Sequence, residues 1–177
     1  AFAGDGSFEG DTTGVFSLSL EQKGDVSRKL INIAQEYFGA NYSTKEYKST
    51  KLFTLKIYSK AAVGLCKDYV DGKETEKTYT ARLYGTSKEF GLGVLEGHLA
   101  TDGENRNRIY TSSKKMVESL NMLAATLGTT TSIYEDNRSN RLGKASNFAV
   151  LIYKLGREQY GDFWFKKDKK LWVKIKE

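Results

Sequence analysis

Two Asp-Gly pairs hold the side chains of this sequence best suited to chemistry. Asp5 precedes Gly6, and Asp102 precedes Gly103, 97 positions further on. Each pair closes a run of small residues, Ala1-Phe-Ala-Gly4 in the first case and Gly93, Gly97 and Ala100 in the second. A lone Asp-Gly is ordinarily a turn. Two of them at matching points of a repeat imply one carboxylate from each of two related halves. Carboxylates are hard oxygen donors for Mg²⁺ or Mn²⁺, and paired ions of this kind activate a water and stabilise the leaving oxygen of a phosphodiester. Lys and Arg total 28 against 22 Asp and Glu, a net charge of +6 that favours an anionic partner. One Cys and one His cannot make a zinc cluster.

The elements that must position these carboxylates recur in order. Val15 to Gln22 alternates as a half-buried strand, with Gln22 on the side of Phe16, Leu18 and Leu20. A helix follows with Val26, Leu30, Ile33, Ala34 and Tyr37 on one face, stopped by Gly39. In the second copy Arg108 to Ser113 reads as the strand. Met116, Leu120, Leu123, Ala124 and Leu127 form the helix face, at a constant offset of 90, and Gly128 is the stop. A hairpin follows each helix, Asn41 to Ser59 and Thr129 to Lys154. Ala61 to Val70 reads as another helix with Cys66 as a small buried hydrophobe. A lone cysteine and the absence of a signal peptide or membrane-length apolar run point to an intracellular protein.

Glycines within the helix through Phe90 to Ala100 each cost about 1 kcal/mol relative to alanine, so they imply a purpose. Gly93, Gly97 and Ala100 form a flat stripe on one face, allowing a second backbone to approach closely. If the stretch before Asp5 packs there, the two carboxylates emerge side by side. His98, the one histidine, lies inside this helix and reads as a packed residue rather than a general base.

Leu95-Glu-Gly-His-Leu-Ala-Thr-Asp-Gly103 resembles the LAGLIDADG motif of homing endonucleases at its first leucine, central glycine and terminal Asp-Gly, departing at Glu96, His98, Ala100 and Thr101. Ala1 to Gly6 resembles the tail of a first copy, as though the chain were cut from a longer polypeptide. The resemblance implies an α+β fold of two pseudo-symmetric αββαββα-type halves. Motif helices would pack at the centre, and two curved antiparallel sheets would form a saddle for DNA. The halves would span 1–78 and 79–155, with 156–177 as a hairpin extension. Its Leu171-Trp-Val-Lys-Ile-Lys resembles the strand by which an intein's endonuclease rejoins its splicing domain.

The same resemblance implies a monomer that cuts double-stranded DNA at a long asymmetric site with Mg²⁺ or Mn²⁺. Asp5 and Asp102 would bind the metal, assisted by the carbonyls of Gly4 and Thr101. Lys56, on the opposite strand face from Phe53, Leu55 and Ile57, and Gln22 would lie near the attacking water. Lys45, Lys48, Lys51, Arg106, Arg108, Lys114, Arg138, Arg141 and Lys144 would meet DNA, since basic β-ribbons fit the major groove. The competing reading is a binder of DNA or RNA on the same scaffold that does not cleave.

Overall fold

The computed structural model describes the backbone of residues 1–104, 107–136, 147–152, 159–160, 164–167 and 170–173. Residues 1–5 form turns, with the Gly4 and Gly6 amides donating to the Ala1 and Phe2 carbonyls, each at 3.2 Å. The chain continues as β1 (Gly6–Glu9), β2 (Thr13–Ser19), α1 (Leu20–Phe38), β3 (Asn41–Tyr47), β4 (Leu52–Tyr58) and α2 (Lys60–Tyr69). The four strands make an antiparallel sheet in the order β1-β2-β4-β3.

A connecting stretch follows. Two short strands, β5 (Val70–Asp71) and β6 (Thr78–Tyr79), pair with each other, and 3-10 turns cover Glu74–Glu76 and Ala81–Gly85. Then come α3 (Lys88–Asp102), β7 (Gly103–Glu104), β8 (Arg108–Thr111), α4 (Lys114–Thr126), β9 (Thr131–Asp136) and β10 (Asn147–Ile152). Their sheet has the order β7-β8-β10-β9, the same as the first. Finally β11 (Gln159–Tyr160), β12 (Trp164–Lys167) and β13 (Lys170–Val173) form a small antiparallel sheet.

Alternation decides which sheet face is buried. Leu55 and Ile57 on β4 and Phe16 and Leu18 on β2 turn inward to meet Ala34 of α1. The register places Lys45, Lys56, Thr54 and Ser17 together on the opposite face. Gly39 ends α1 at φ 55°, the left-handed conformation that glycine adopts without a Cβ penalty, and Ala40 donates to the Ala34 carbonyl at 3.0 Å. Gly128, with φ 77°, does the same after α4.

Two expectations change. The strand expected to reach Gln22 stops at Ser19, which pairs with Leu52 at the end of β4. With its partner exhausted, the chain turns helical as Leu20 donates to the Lys51 carbonyl, so Gln22 lies in the first turn of α1. The stretch before Asp5 is a pair of turns rather than a helical end. Among the described residues no helix is long and apolar enough to cross a membrane.

Candidate active site

Helix α3 is capped by Ser87, whose hydroxyl accepts from the Phe90 amide at 3.2 Å, and carries Asp102 as its last residue. Its glycine stripe receives the N-terminal turns. A Cβ on Gly97 would lie 2.8 Å from the backbone nitrogen of Ala1. A Cβ on Gly4 would collide with the Thr101 hydroxyl and the Asp102 carboxylate. Gly4 is therefore glycine because the carboxylate of the other motif lies against its α-carbon, which brings the two Asp-Gly segments together. Gly93 has no such close neighbour, so this approach does not use the whole stripe.

Lys77 occupies the centre of this arrangement. Its Nζ donates to the Gly4 carbonyl at 2.7 Å and to the Gly6 carbonyl at 2.9 Å, bracketing Asp5. Burial lowers the pKa of this ammonium, while the fields of Asp102 and Asp5 oppose the shift. Its backbone is anchored on α4. Ser113, the N-cap of α4, donates to the Lys77 carbonyl at 2.5 Å, and Lys115 pairs with Glu76 at 2.6 Å. The Ser119 hydroxyl lies 2.7 Å from that of Thr78 and accepts from the Tyr79 amide at 3.2 Å. Sequence reasoning passed over Lys77 because Asp71 to Thr78 reads as a plain polar connection, with no periodicity to mark one lysine.

Beside these groups lies a polar cleft of about 260 Å³, lined by Gly4, Glu74, Lys77, Asp102 and Tyr110 among others. Glu74 adopts a positive φ of 47°, a conformation a non-glycine residue takes only when its surroundings impose it. Within the helix His98 is buried, its Nδ1 2.7 Å from the Tyr79 hydroxyl and its Nε2 3.5 Å from Asp102 Oδ2. Burial lowers the imidazole pKa against the pull of Asp102, and burial likewise raises that of the Tyr79 phenol.

The other expected site residues lie further out. Lys56 lies on the sheet face opposite Leu55 and Ile57, and its Nζ is bound to Glu9 Oε2 at 2.5 Å, across β2, with both side chains exposed. That partner directs it along the sheet, away from the Asp5 end of β1. Thr101 is buried and donates to the His98 carbonyl at 3.0 Å. Lys45 lies over the Tyr47 ring, Lys48 and Lys51 are in the turn between β3 and β4, and Lys114 begins α4. Arg108 Nη1 reaches the Tyr110 hydroxyl at 3.4 Å. Arg106, Arg138, Arg141 and Lys144 lie outside the described residues.

The donor set fits a hard divalent cation. The Asp102 carboxylate lies against Gly4, and Asp5 and Asp102 both act electrostatically on Lys77, so oxygen donors from both motifs share this region. Among the described residues no group of three or more His, Cys, Asp and Glu side chains is placed to hold a metal ion, so a cation here would rest on two carboxylates, backbone carbonyls and water. Such a cation keeps several waters and needs few protein ligands.

No protein-family model and no curated protein matches the sequence. Solved structures do. Mesophilic variants of the homing endonuclease I-DmoI match with a TM-score of 0.55 and 14% identity, covering 86% of this chain and 83% of that one. I-DmoI in complex with DNA and Ca matches with a TM-score of 0.55 and 12% identity over 86% and 78% of the two chains. I-DmoI in complex with DNA and Mn gives a TM-score of 0.51 and 13% identity over 83% and 78%. At these identities the likeness concerns architecture: this chain has the α+β fold of I-DmoI, a LAGLIDADG homing endonuclease.

Proposed function

We propose that the chain is a site-specific endonuclease that hydrolyses both strands of DNA with Mg²⁺ or Mn²⁺, one aspartate serving each strand. The observation that carries this reading is the convergence of the Asp5 and Asp102 segments on Lys77, between two sheets of identical strand order. A bound divalent ion would polarise the scissile phosphate and acidify a coordinated water. Asp5 and Asp102 would hold it, with the carbonyls of Gly4 and Thr101 assisting. Lys77 can swing its ammonium from the two carbonyls to a phosphate oxygen and neutralise charge developing there.

The outward sheet faces and their connecting turns meet the duplex. Lys45, Lys48, Lys51, Arg108 and Lys114, with Arg106, Arg138, Arg141 and Lys144, supply phosphate and base contacts. The units 1–78 and 79–155 differ in sequence, so a monomer would read a long asymmetric site. The segment 156–177 would be an extension that links such an endonuclease to an intein's splicing domain. I-DmoI is found with DNA together with Ca or Mn, which supports a metal and a duplex as the ligands here.

One observation favours a binder that does not cut: the Lys77 ammonium already occupies the Gly4 carbonyl, an expected metal donor. The deciding experiment exposes a randomised duplex library to the protein, in Ca²⁺ for capture and in Mg²⁺ for cutting, followed by sequencing. A long enriched motif that is cut in Mg²⁺ supports the endonuclease. Enrichment in Ca²⁺ without cutting supports the binder, and failure to enrich any sequence discards both.

A further inference from the structure

His98 and Tyr79 form a buried polar pair that the cleavage reading leaves unused. His98 stands one helical turn before Asp102, so both project from the same face of α3. A residue that merely filled this place would be aliphatic, since a buried imidazole whose nitrogens lack partners is costly. Instead Nδ1 faces the Tyr79 hydroxyl at 2.7 Å and Nε2 faces Asp102 Oδ2 at 3.5 Å, the rings meeting edge to face. Tyr79 is itself fixed, by pairing of β6 with β5 and by the Ser119 hydroxyl on its amide.

We infer that His98, oriented by Tyr79, is a positioning residue that aims the Asp102 carboxylate and sets the divalent-metal affinity of that half of the site. This rests on the reading of Asp102 as a metal ligand. An ionised carboxylate only accepts, so the proton facing it sits on Nε2, and in a neutral ring Nδ1 accepts from the Tyr79 hydroxyl. The 3.5 Å separation is longer than a well-formed hydrogen bond, and such contacts tighten when the site is loaded. Carboxylate ligands held this way typically lose about ten- to a hundredfold in metal affinity when the outer partner goes. Counting back the 97 positions between the motifs, Ala1 takes the place of His98 and can make no such bond.

The test is an Mn²⁺ titration of the full chain, read by loss of the free-ion EPR signal. It compares wild type with Asp102→Asn, His98→Leu/Tyr79→Phe, His98→Gln and His98→Asn. The Leu/Phe pair removes both polar partners while keeping apolar bulk, which spares the fold the cost of an orphaned hydroxyl. Gln can place an amide proton near the position of Nε2, whereas Asn reaches only toward Tyr79. We expect Asp102→Asn to abolish one site, and Leu/Phe and Asn to weaken it about ten- to a hundredfold. Gln should stay close to wild type. If wild type and Asp102→Asn bind Mn²⁺ alike, the metal reading of Asp102 falls and the inference with it. If Asp102→Asn loses the site but Leu/Phe and Asn keep it, the inference alone is overturned. Equal loss in Gln and Asn would mean that shape rather than the donated proton matters, which also overturns it. Should the Leu/Phe pair fail to fold, the Gln and Asn comparison still decides.

Discussion

Asp5 and Asp102 occupy matching places in a repeated topology and both act on Lys77, yet the chain leading to each is built differently. Asp102 ends a 15-residue helix and is backed by the buried His98 and Tyr79. Asp5 follows two turns and lies between carbonyls held by Lys77. The helices behind them diverge too. Ile33 of α1 is 49% exposed, while Leu123, its counterpart at the offset of 90, is 1% exposed. Tyr37 and Leu127 contrast in the same way, 70% against 4%. The difference arises from what lies overhead. Gly91, in the first turn of α3, brings its backbone against the Leu123 and Leu127 side chains. On the α1 side, Ile33 lines an apolar groove beside Phe2, Leu65 and Cys66. Topology and carboxylates recur in the two halves, whereas the helix packing behind them differs.

The largest expected effect tests whether that asymmetry reaches catalysis. Asp102→Asn and Asp5→Asn should each lower double-strand cleavage roughly a thousandfold or more, since several kcal/mol of charge stabilisation depend on each ligand. Binding in Ca²⁺ should persist. Products run on denaturing gels would reveal whether one strand is still nicked in each variant. Equal and complete loss of binding in both would sink the assignment of these residues to chemistry. Next comes Lys77→Met, expected to slow single-turnover cleavage about a hundred- to a thousandfold, the usual effect of removing one charge-stabilising donor. An unchanged rate would make Lys77 a clamp for the Asp5 turns and nothing more.

Much of this arrangement was legible in the sequence, for physical reasons that can be named. Five apolar positions in each helix and a glycine at each end are local signals, and α1 and α4 follow them. The approach of Gly4 to Asp102 was also legible, because helical glycine is costly unless a backbone must come close. Gln22 was misplaced in a strand because Leu20 continues the alternation of β2, and only the length of the partner β4 ends it. Lys56 was given the right face but not its ion pair with Glu9, which depends on a cross-strand register. Lys77 and the second contact of His98 were invisible, since both depend on how the connection through Asp71 to Tyr79 packs against α3 and α4.

The stability of the two helix faces should follow their cover. Leu123→Ala removes a side chain that is 1% exposed, so a loss of about 2–5 kcal/mol is expected in denaturant unfolding. Ile33→Ala, at the corresponding place, should cost well under half of that because about half the side chain already meets solvent. Equal losses would mean that Ile33 is covered in solution, and the contrast between the helices would disappear.

The smallest expected effect separates the two helix starts. Ser19 precedes α1 without a side-chain cap, whereas Ser113 accepts from the Met116 amide at 3.1 Å and donates to the Lys77 carbonyl. Ser19→Ala should therefore change stability by a few tenths of a kcal/mol at most, and Ser113→Ala should cost about 1–2 kcal/mol. The second loss has a consequence the first lacks. Ser113 joins the start of α4 to the backbone of Lys77, so removing its hydroxyl frees the segment that carries the ammonium to the Gly4 and Gly6 carbonyls. Cleavage by Ser113→Ala should fall at temperatures where the chain remains fully folded, while Ser19→Ala cuts at the wild-type rate. A stability loss with unchanged cleavage would confine Ser113 to capping and leave Ser119, with its contacts to Thr78 and Tyr79, as the anchor of that segment.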